Sequence, residues 1–416
     1  MNSLNIKKFD FVSISIVSLL IMIGLVNIYS STYFDNMSFF SFKNPFGKQL
    51  IFTLISLIIF LFILVSDDRF FFRYSSIIYL IGIILLIAVL IFGNEVKGAK
   101  SWFSLMGFSL QPSEFMKPIT ALALAKYLSN INSDLKRKSI QLYSFLIVLI
   151  PIFLIIIQPD PGTALIYFSF FFVLYVIGLP STYMNIFIWL TILFITTIVV
   201  GKQNILFIIS TLIISILLIY IYRKLSFRKF LFYGILSLIF ILCVDFIFNE
   251  VFEQRHRDRF DIVLGIKEDN RGIGYNTNQS QLAFKSGGFF GEGFLKGTQT
   301  KGDFVPEQHS DYIFATIGEE WGFFGSILTI ILFTILILRM ISRANTNRNI
   351  FNKIVIYSVA SIFFFQFAIN ISMVIGVFPT VGIPLPFISY GGSSLLASII
   401  LFGGYIKLDS VKKEKW

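Results

Sequence analysis

Charge is scarce in this 416-residue sequence: Asp, Glu, Lys and Arg together make up 14%, against 56% hydrophobic residues. A soluble globular domain carries about 25% charged residues, so that class is excluded. Cysteine is almost absent. The single Cys243 rules out an intramolecular disulfide, and its place inside an apolar run reads as a packed thiol. The only histidines, His256 and His309, fit no metal-ligand spacing such as H-E-x-x-H, which argues against zinc chemistry. Convincing repeats are missing too: "SLQPSEF" and "PLPFISYGG" are the nearest candidates, too dissimilar for the inverted duplication of many transporters. "GIGY" and "GEGF" lack the strand-to-helix context of a nucleotide fold.

What the sequence has instead is apolar length. Crossing a hydrocarbon core of ~30 Å takes roughly 20 helical residues. Twelve such runs occur, near 11–30, 49–66, 75–93, 112–129, 140–157, 162–179, 183–200, 204–222, 231–249, 312–338, 354–376 and 387–407. The expected fold is an all-α polytopic membrane protein, one integral domain over 1–416 with about ten to twelve transmembrane helices. The first run follows "MNSLNIKKFD" without a small-residue cleavage site and is expected to be a retained helix. Basic residues fall in alternate connections: Lys7 and Lys8, Arg69 and Arg73, Lys136 to Lys138, Arg223 to Lys229, Arg339 to Lys353, and Lys407 to Lys415. That alternation puts both termini in the cytoplasm and the connections at 31–48, 94–111, 201–203, 250–311 and 377–386 outside. The net charge of +11 is therefore an orientation signal with some attraction to anionic membrane lipids, and nucleic acid is not an expected partner.

The large extracytoplasmic loop, 250–311, holds nine of the 28 glycines and ten acidic against eight basic residues. It returns to the membrane through "FVPEQHSDYIFATIGEEWGFFGS". A helix begun near Pro306 would place Asp311, Ala315, Gly318, Gly322 and Gly325 on one narrow face of small residues headed by a carboxylate. Helix packing with a capping acid accounts for such a face, but ionisable groups at membrane depth are costly and point towards function. Glu307, His309, Glu319 and Glu320 crowd the same stretch.

Four further segments carry candidate chemistry. In "SLQPSEFMKP" Gln111 is expected to cap a helix, with Pro112 in its first turn and Glu114 near its positive end. Lys117 follows at i+3, either as a local ion pair or as a cation facing a polar cavity and oriented by Glu114. "QPDPGTAL", with Asp160, reads most simply as a tight external turn. Arg257 and Arg259 in "HRDRFD" suit phosphate oxygens as well as interfacial anchoring. "IPLPFISYGGSSLL", with Ser389, means backbone leaving a simple helix, which a membrane tolerates only against protein or water.

"QPSEF", "QPDPGTAL", "NQSQLAFKSGGFFGEGFLKGTQT", "FVPEQHSDYIFATIGEEWGFFGS" and "PLPFISYGGSSLL" together resemble the ordered signatures of the SEDS family (shape, elongation, division and sporulation), whose members polymerise peptidoglycan glycan strands. "GTQT" followed by "FVPEQHSD" resembles the elongation branch more than the division branch. The resemblance implies a peptidoglycan glycosyltransferase of the cytoplasmic (inner) membrane. Its substrate would be lipid II, a disaccharide-peptide on undecaprenyl pyrophosphate, joined with inversion. It implies a catalytic aspartate at Asp311 and substrate-binding roles for Glu114, Lys117, Asp160, Glu307, His309 and Ser389, with Arg257 and Arg259 near the pyrophosphate. It also implies a class B penicillin-binding protein as partner. This transpeptidase would be a separate chain, since no Ser-x-x-Lys machinery in a soluble domain is present here. No cofactor is implied; a divalent cation would assist pyrophosphate departure, but no ligand cluster identifies one. Two features depart from the family pattern: an extra helix pair within 183–249, and Pro161 where an apolar residue is common.

Glycosidases need two carboxylates because an alkoxide leaving group must be protonated. Pyrophosphate already leaves well, so one base suffices if cations offset the developing charge. Two rival readings are a transporter or flippase of the same lipid and a non-catalytic scaffold for the transpeptidase.

Overall fold

A computed structural model describes residues 9–33, 44–96, 98–105, 108–130, 134–200, 217, 227–246, 248, 254–265, 272, 274–302 and 304–411. The expected run at 204–222 lies outside the described residues apart from residue 217, as do Lys7, Lys8, Arg223, Lys224, Lys412, Lys413 and Lys415. The helices are α1 (Phe11–Thr32), α2 (Pro45–Val65), α3 (Asp68–Phe92), α4 (Pro112–Asn130), α5 (Lys138–Ile157), α6 (Pro161–Ile166), α7 (Ser169–Ile177) and α8 (Ser181–Val200). They continue with α9 (Phe227–Phe246), α10 (Gln254–Val263), α11 (Tyr275–Gly287), α12 (Thr298–Lys301), α13 (Ile313–Thr346), α14 (Ile350–Val374) and α15 (Gly392–Ser410). Among the described residues seven helices are long and apolar enough to cross a membrane: α1, α2, α3, α5, α8, α13 and α14. They coincide with seven of the twelve expected runs, and the protein is a multi-pass membrane protein.

The chain divides into two compact units, residues 1–178 with 276–416, and residues 179–275. In the first, α14 is the central helix: 61% of its most apolar window is buried, against 22% for α2 and α3. It packs on α4, α7, α13 and α15, while α1 lies on α13 and α2 on α15. In the second unit α8 packs on α9 through Leu193 and Ile241, with Trp189 Nε1 donating to Ser237 Oγ at 3.0 Å. Phe260 of α10 meets Phe194 and Phe248 edge-on.

Several expectations are corrected. Residues 94–110 form a small antiparallel sheet, β1 (Asn94–Val96), β2 (Ala99–Leu105) and β3 (Phe108–Leu110), in the order β1-β2-β3. The aromatic pair Trp102 and Phe103 favours a strand, but the stretch is short and flanked by long apolar runs that dominate any hydropathy reading. The 162–179 run breaks into α6 and α7 at Tyr167 and Phe168. Cys243 is exposed on α9, on the same face as exposed Leu238, Ile239, Leu242 and Phe246. In a membrane helix an apolar neighbourhood can mean lipid rather than protein, so the thiol is not packed.

The largest correction concerns α13. It starts at Ile313 instead of near Pro306, and Gly322 (φ 64°, ψ −156°) interrupts it, so the small-residue face does not run continuously from Asp311. An unbroken helix would bond Phe323 N–H to the Glu319 carbonyl and Phe324 N–H to that of Glu320. Instead a glycine loop, residues 287–293, supplies all four partners. Phe323 and Phe324 N–H donate to the Gly288 and Phe289 carbonyls at 3.0 and 3.3 Å, and the Glu319 and Glu320 carbonyls accept from Glu292 and Gly293 N–H at 2.9 and 3.1 Å. The exchange needs close backbone approach. A Cβ on Gly291 would stand 2.1 Å from the Glu320 carbonyl oxygen, at a φ of +80°.

The opposite end of the unit is closed by charge. Asp10, just before α1, accepts from Arg339 Nε (2.8 Å) and Nη2 (2.7 Å), Ser13 Oγ (2.7 Å) and Tyr405 Oη (2.8 Å). Arg343 reaches Asp10 at 3.7 Å and Asp409 at 3.3 Å. Burial alone would raise the Asp10 carboxyl, but the hydrogen bonds from Arg339, Ser13 and Tyr405 and the charge of Arg343 hold it well below the usual carboxylate range. The chain ends of α1, α13 and α15, all expected on the cytoplasmic side, therefore meet in one cluster.

Two measurements test these contacts by thermal unfolding in detergent. Gly291→Ala is expected to destabilise by at least about 2 kcal/mol through clash and backbone strain, whereas Gly404→Ala, whose Cβ meets nothing within 4 Å, is expected to be neutral or slightly stabilising. Arg339→Gln strands a buried carboxylate. The expected loss is on the order of 1–3 kcal/mol, less than for a fully buried pair because Arg339 is 31% exposed. A carboxyl depressed in the fold contributes stability above its unfolded value of about 4 and loses it as pH falls through the depressed value. Without Arg339 the Asp10 carboxyl protonates at higher pH, so the gap between variant and wild type should shrink from pH 7 towards pH 4.

Candidate functional site

The segment Val305–Tyr312 carries the chain from α12 into α13 as a run of turns. Glu307 organises it from a left-handed conformation, φ +55°, that non-glycine residues seldom adopt. Its carbonyl accepts from Ser310 and Tyr312 N–H at 3.0 and 3.2 Å, and its carboxylate accepts from Ser310 Oγ at 2.9 Å. Gln308 Nε2 donates to the Ser31 carbonyl at the end of α1 (3.0 Å).

The next three carbonyls are each held by the other irregular segment or by α14. That of His309 accepts from Tyr390 N–H at 2.8 Å, that of Ser310 from Ser389 Oγ at 2.7 Å, and that of Asp311 from Asn370 Nδ2 at 2.8 Å. Ser389 Oγ also accepts from Leu385 N–H (2.8 Å), and the His309 ring meets the Tyr390 ring edge-on at 5.3 Å. The Asp311 carboxylate is half-buried and lies against Gly382, where a Cβ would stand 3.4 Å from Oδ2.

A second group lies at the start of α4. Lys117 Nζ donates to Glu114 Oε2 at 2.7 Å, with side chains 1% and 3% exposed. A charge pair this deep persists only because each partner neutralises the other. Asp160 caps α6: it accepts from Thr163 N–H (3.0 Å), Thr163 Oγ1 (2.8 Å) and Gln111 Nε2 (2.8 Å), with Ser113 Oγ at 3.5 Å. The Gln111 side chain thus reaches across to Asp160 instead of capping its own helix. Gln111 N–H donates to Ser393 Oγ (3.0 Å), which donates to the Ser109 carbonyl (3.1 Å). "SLQPSE", "PDPGT" and "YGGSS", distant in sequence, are thereby tied together in the first unit.

Glu319 and Glu320 have structural partners. Glu319 accepts from Gln299 and Thr300 N–H at 2.6 and 2.9 Å, holding the "GTQT" turn, and Glu320 accepts from Ser30 Oγ of α1. Arg257 and Arg259 are half-buried on α10, in the second unit. Sequence reasoning missed Asn370, Gly382, and Gln49, whose side chain holds both the Ser389 carbonyl and Gly391 N–H. The available signal was an amide inside a long apolar run, a costly placement that calls for a partner. Among the described residues no group of three or more His, Cys, Asp or Glu is gathered as for a metal ion.

The profile of the FtsW/RodA/SpoVE cell cycle proteins matches residues 11–204 and 180–414. The peptidoglycan glycosyltransferase RodA of Treponema pallidum is 30% identical over 97% of this chain and 98% of its own. The peptidoglycan glycosyltransferase MrdB of Escherichia coli is 32% identical over 81% and 78%, and a probable FtsW of Trichlorobacter lovleyi 32% over 97% and 94%. Among solved structures, a chain of a peptidoglycan synthase complex superposes with a TM-score of 0.71 at 23% identity, covering 98% of this chain and 99% of that one. Thermus thermophilus RodA gives 0.63 at 22%, covering 98% of both. At these identities the structures support the fold alone.

The buried pair at the head of α4 can be tested directly. Glu114→Gln leaves the Lys117 ammonium without its counter-ion and is expected to lower stability by about 3–5 kcal/mol in detergent unfolding; adding Lys117→Met should restore much of it.

Proposed function

The chain belongs to the FtsW/RodA/SpoVE family of cell cycle proteins, and we propose that Asp311 is the base of its glycosyl transfer. Relatives 30–32% identical over most of the chain are peptidoglycan glycosyltransferases, and this protein is a peptidoglycan glycosyltransferase of RodA type. The observation that carries the assignment of Asp311 is its placement. A half-buried carboxylate stands at the head of a membrane-crossing helix, on backbone held at three successive carbonyls.

On this reading the substrate is lipid II. Asp311 takes the proton of an acceptor sugar hydroxyl, whose oxygen attacks the anomeric carbon of a second unit with inversion. The carbon–oxygen bond to pyrophosphate breaks, and the leaving group carries away the electron pair without needing a proton. Lys117, oriented by Glu114, is a cation for the pyrophosphate; Arg257 and Arg259 are put forward as phosphate-binding residues from their chemistry alone. Glu307 and His309 flank the base and tune it. Asp160 and Ser389 are assigned as substrate-binding residues, each fixed in place by hydrogen bonds to neighbouring backbone. A divalent cation, if used, would be held by substrate phosphates and at most two protein carboxylates.

The isoprenoid anchor explains why this chemistry sits in a membrane protein: the lipid tail stays in hydrocarbon while the sugar meets the base at the outer interface. The alternating basic connections support a cytoplasmic-membrane location with both termini inside. The solved peptidoglycan synthase complex whose chain superposes on this one is described as coordinating polymerization and crosslinking, which supports a class B penicillin-binding protein as the partner of this chain.

Purified protein given lipid II in detergent should make glycan strands, an outcome no transporter or scaffold produces without a second compartment. Asp311→Asn keeps the volume and loses the base, so the rate should fall by about 10²–10⁴-fold while folding is retained. A variant with near-normal synthesis would remove Asp311 from the mechanism.

A further inference from the structure

We infer that Asn370 is a positioning residue for the transfer reaction, acting through Asp311; the inference rests on the assignment of Asp311 as base. Asn370 is fully buried in α14, a helix packed on α4, α7, α13 and α15 in the first unit. Its Nδ2 donates to two carbonyls, that of Asp311 at 2.8 Å and that of Ile383 at 2.7 Å. Two protons committed to two acceptors fix the amide plane, because rotation about the side chain loses both bonds together.

What the amide joins matters more than the number of bonds. Asp311 bears the carboxylate, and Ile383 follows Gly382, the residue lying against that carboxylate. One side chain from a rigid helix thus fixes the backbone of the base and of the wall it faces. Its Oδ1 is buried without a hydrogen-bond partner. That orphan costs about 1–3 kcal/mol, which argues that the amide is placed for its two donors and not for tight apolar packing.

The neighbouring bonds separate position from folding. Tyr390 N–H and Ser389 Oγ hold the His309 and Ser310 carbonyls independently of Asn370. Removing the amide therefore releases the aspartate end of the turn and leaves the rest tied down. A displacement of about 1 Å at a catalytic group can cost on the order of 100-fold in rate.

The test is steady-state polymerisation of lipid II in detergent by the full-length enzyme, with rates expressed per folded molecule. Asn370→Leu, similar in volume and without a donor, is expected to lose about 10–100-fold in kcat with KM within about twofold of wild type. Asn370→Ser keeps one donor and should fall between, and it decides the matter if Asn370→Leu does not fold. A kcat within about twofold of wild type overturns the inference, and so does a KM that rises as far as kcat falls, the mark of a substrate contact. Asp311→Asn is measured alongside: if it keeps the wild-type rate the assignment of the base fails first, whereas its inactivity beside a fully active Asn370 variant removes only the role of Asn370.

Discussion

The bonds accepted by the carbonyls of His309, Ser310 and Asp311 answer a demand that the membrane imposes. Backbone that leaves a helix beside lipid exposes donors and acceptors that hydrocarbon cannot satisfy. Here two irregular segments meet that demand for each other. The turns before α13 need donors, and the segment between α14 and α15 supplies them from Tyr390 N–H and Ser389 Oγ, with Asn370 completing the set. The glycine loop and the interrupted α13 repeat the solution at Gly322. Irregular backbone in this protein is paired backbone, and Asp311 sits where one such pair closes.

The same pairing explains the carboxylates crowded around the return of the large loop. Glu319 holds the amides of Gln299 and Thr300, Glu320 ties α13 to α1 through Ser30, and Glu307 binds Ser310 within its own turn. Three of the four thus fasten backbone or helices together. Asp311 is the member whose backbone is held by others, which is the arrangement expected of a group that must be aimed.

Much of this was legible in the sequence. Apolar length located seven of the expected spans, and the "FVPEQHSD" stretch pointed to the candidate site. The i+3 spacing of Glu114 and Lys117 was borne out as a buried pair. What could not be read depends on which surface an apolar side chain meets. Hydropathy measures avoidance of water and does not separate lipid from protein, so Cys243 looked packed and is exposed. Helical spacing likewise assumes a continuous helix, and nothing local to Gly322 says that another segment will take over its bonds. The Gln111–Asp160 contact joins residues too far apart in sequence for any local pattern to show it.

The exchange at Gly322 also decides what can travel along α13. Its first stretch, Ile313–Trp321, is tied to the glycine loop, and the long second stretch ends in the arginines that hold Asp10 and Asp409. The junction is a break in the backbone ladder: the two bonds that would carry helical register across Gly322 are made to another segment instead. The Asp10–Arg339 cluster at one end of the helix and the Asp311 turn at the other are thus held by separate sets of bonds.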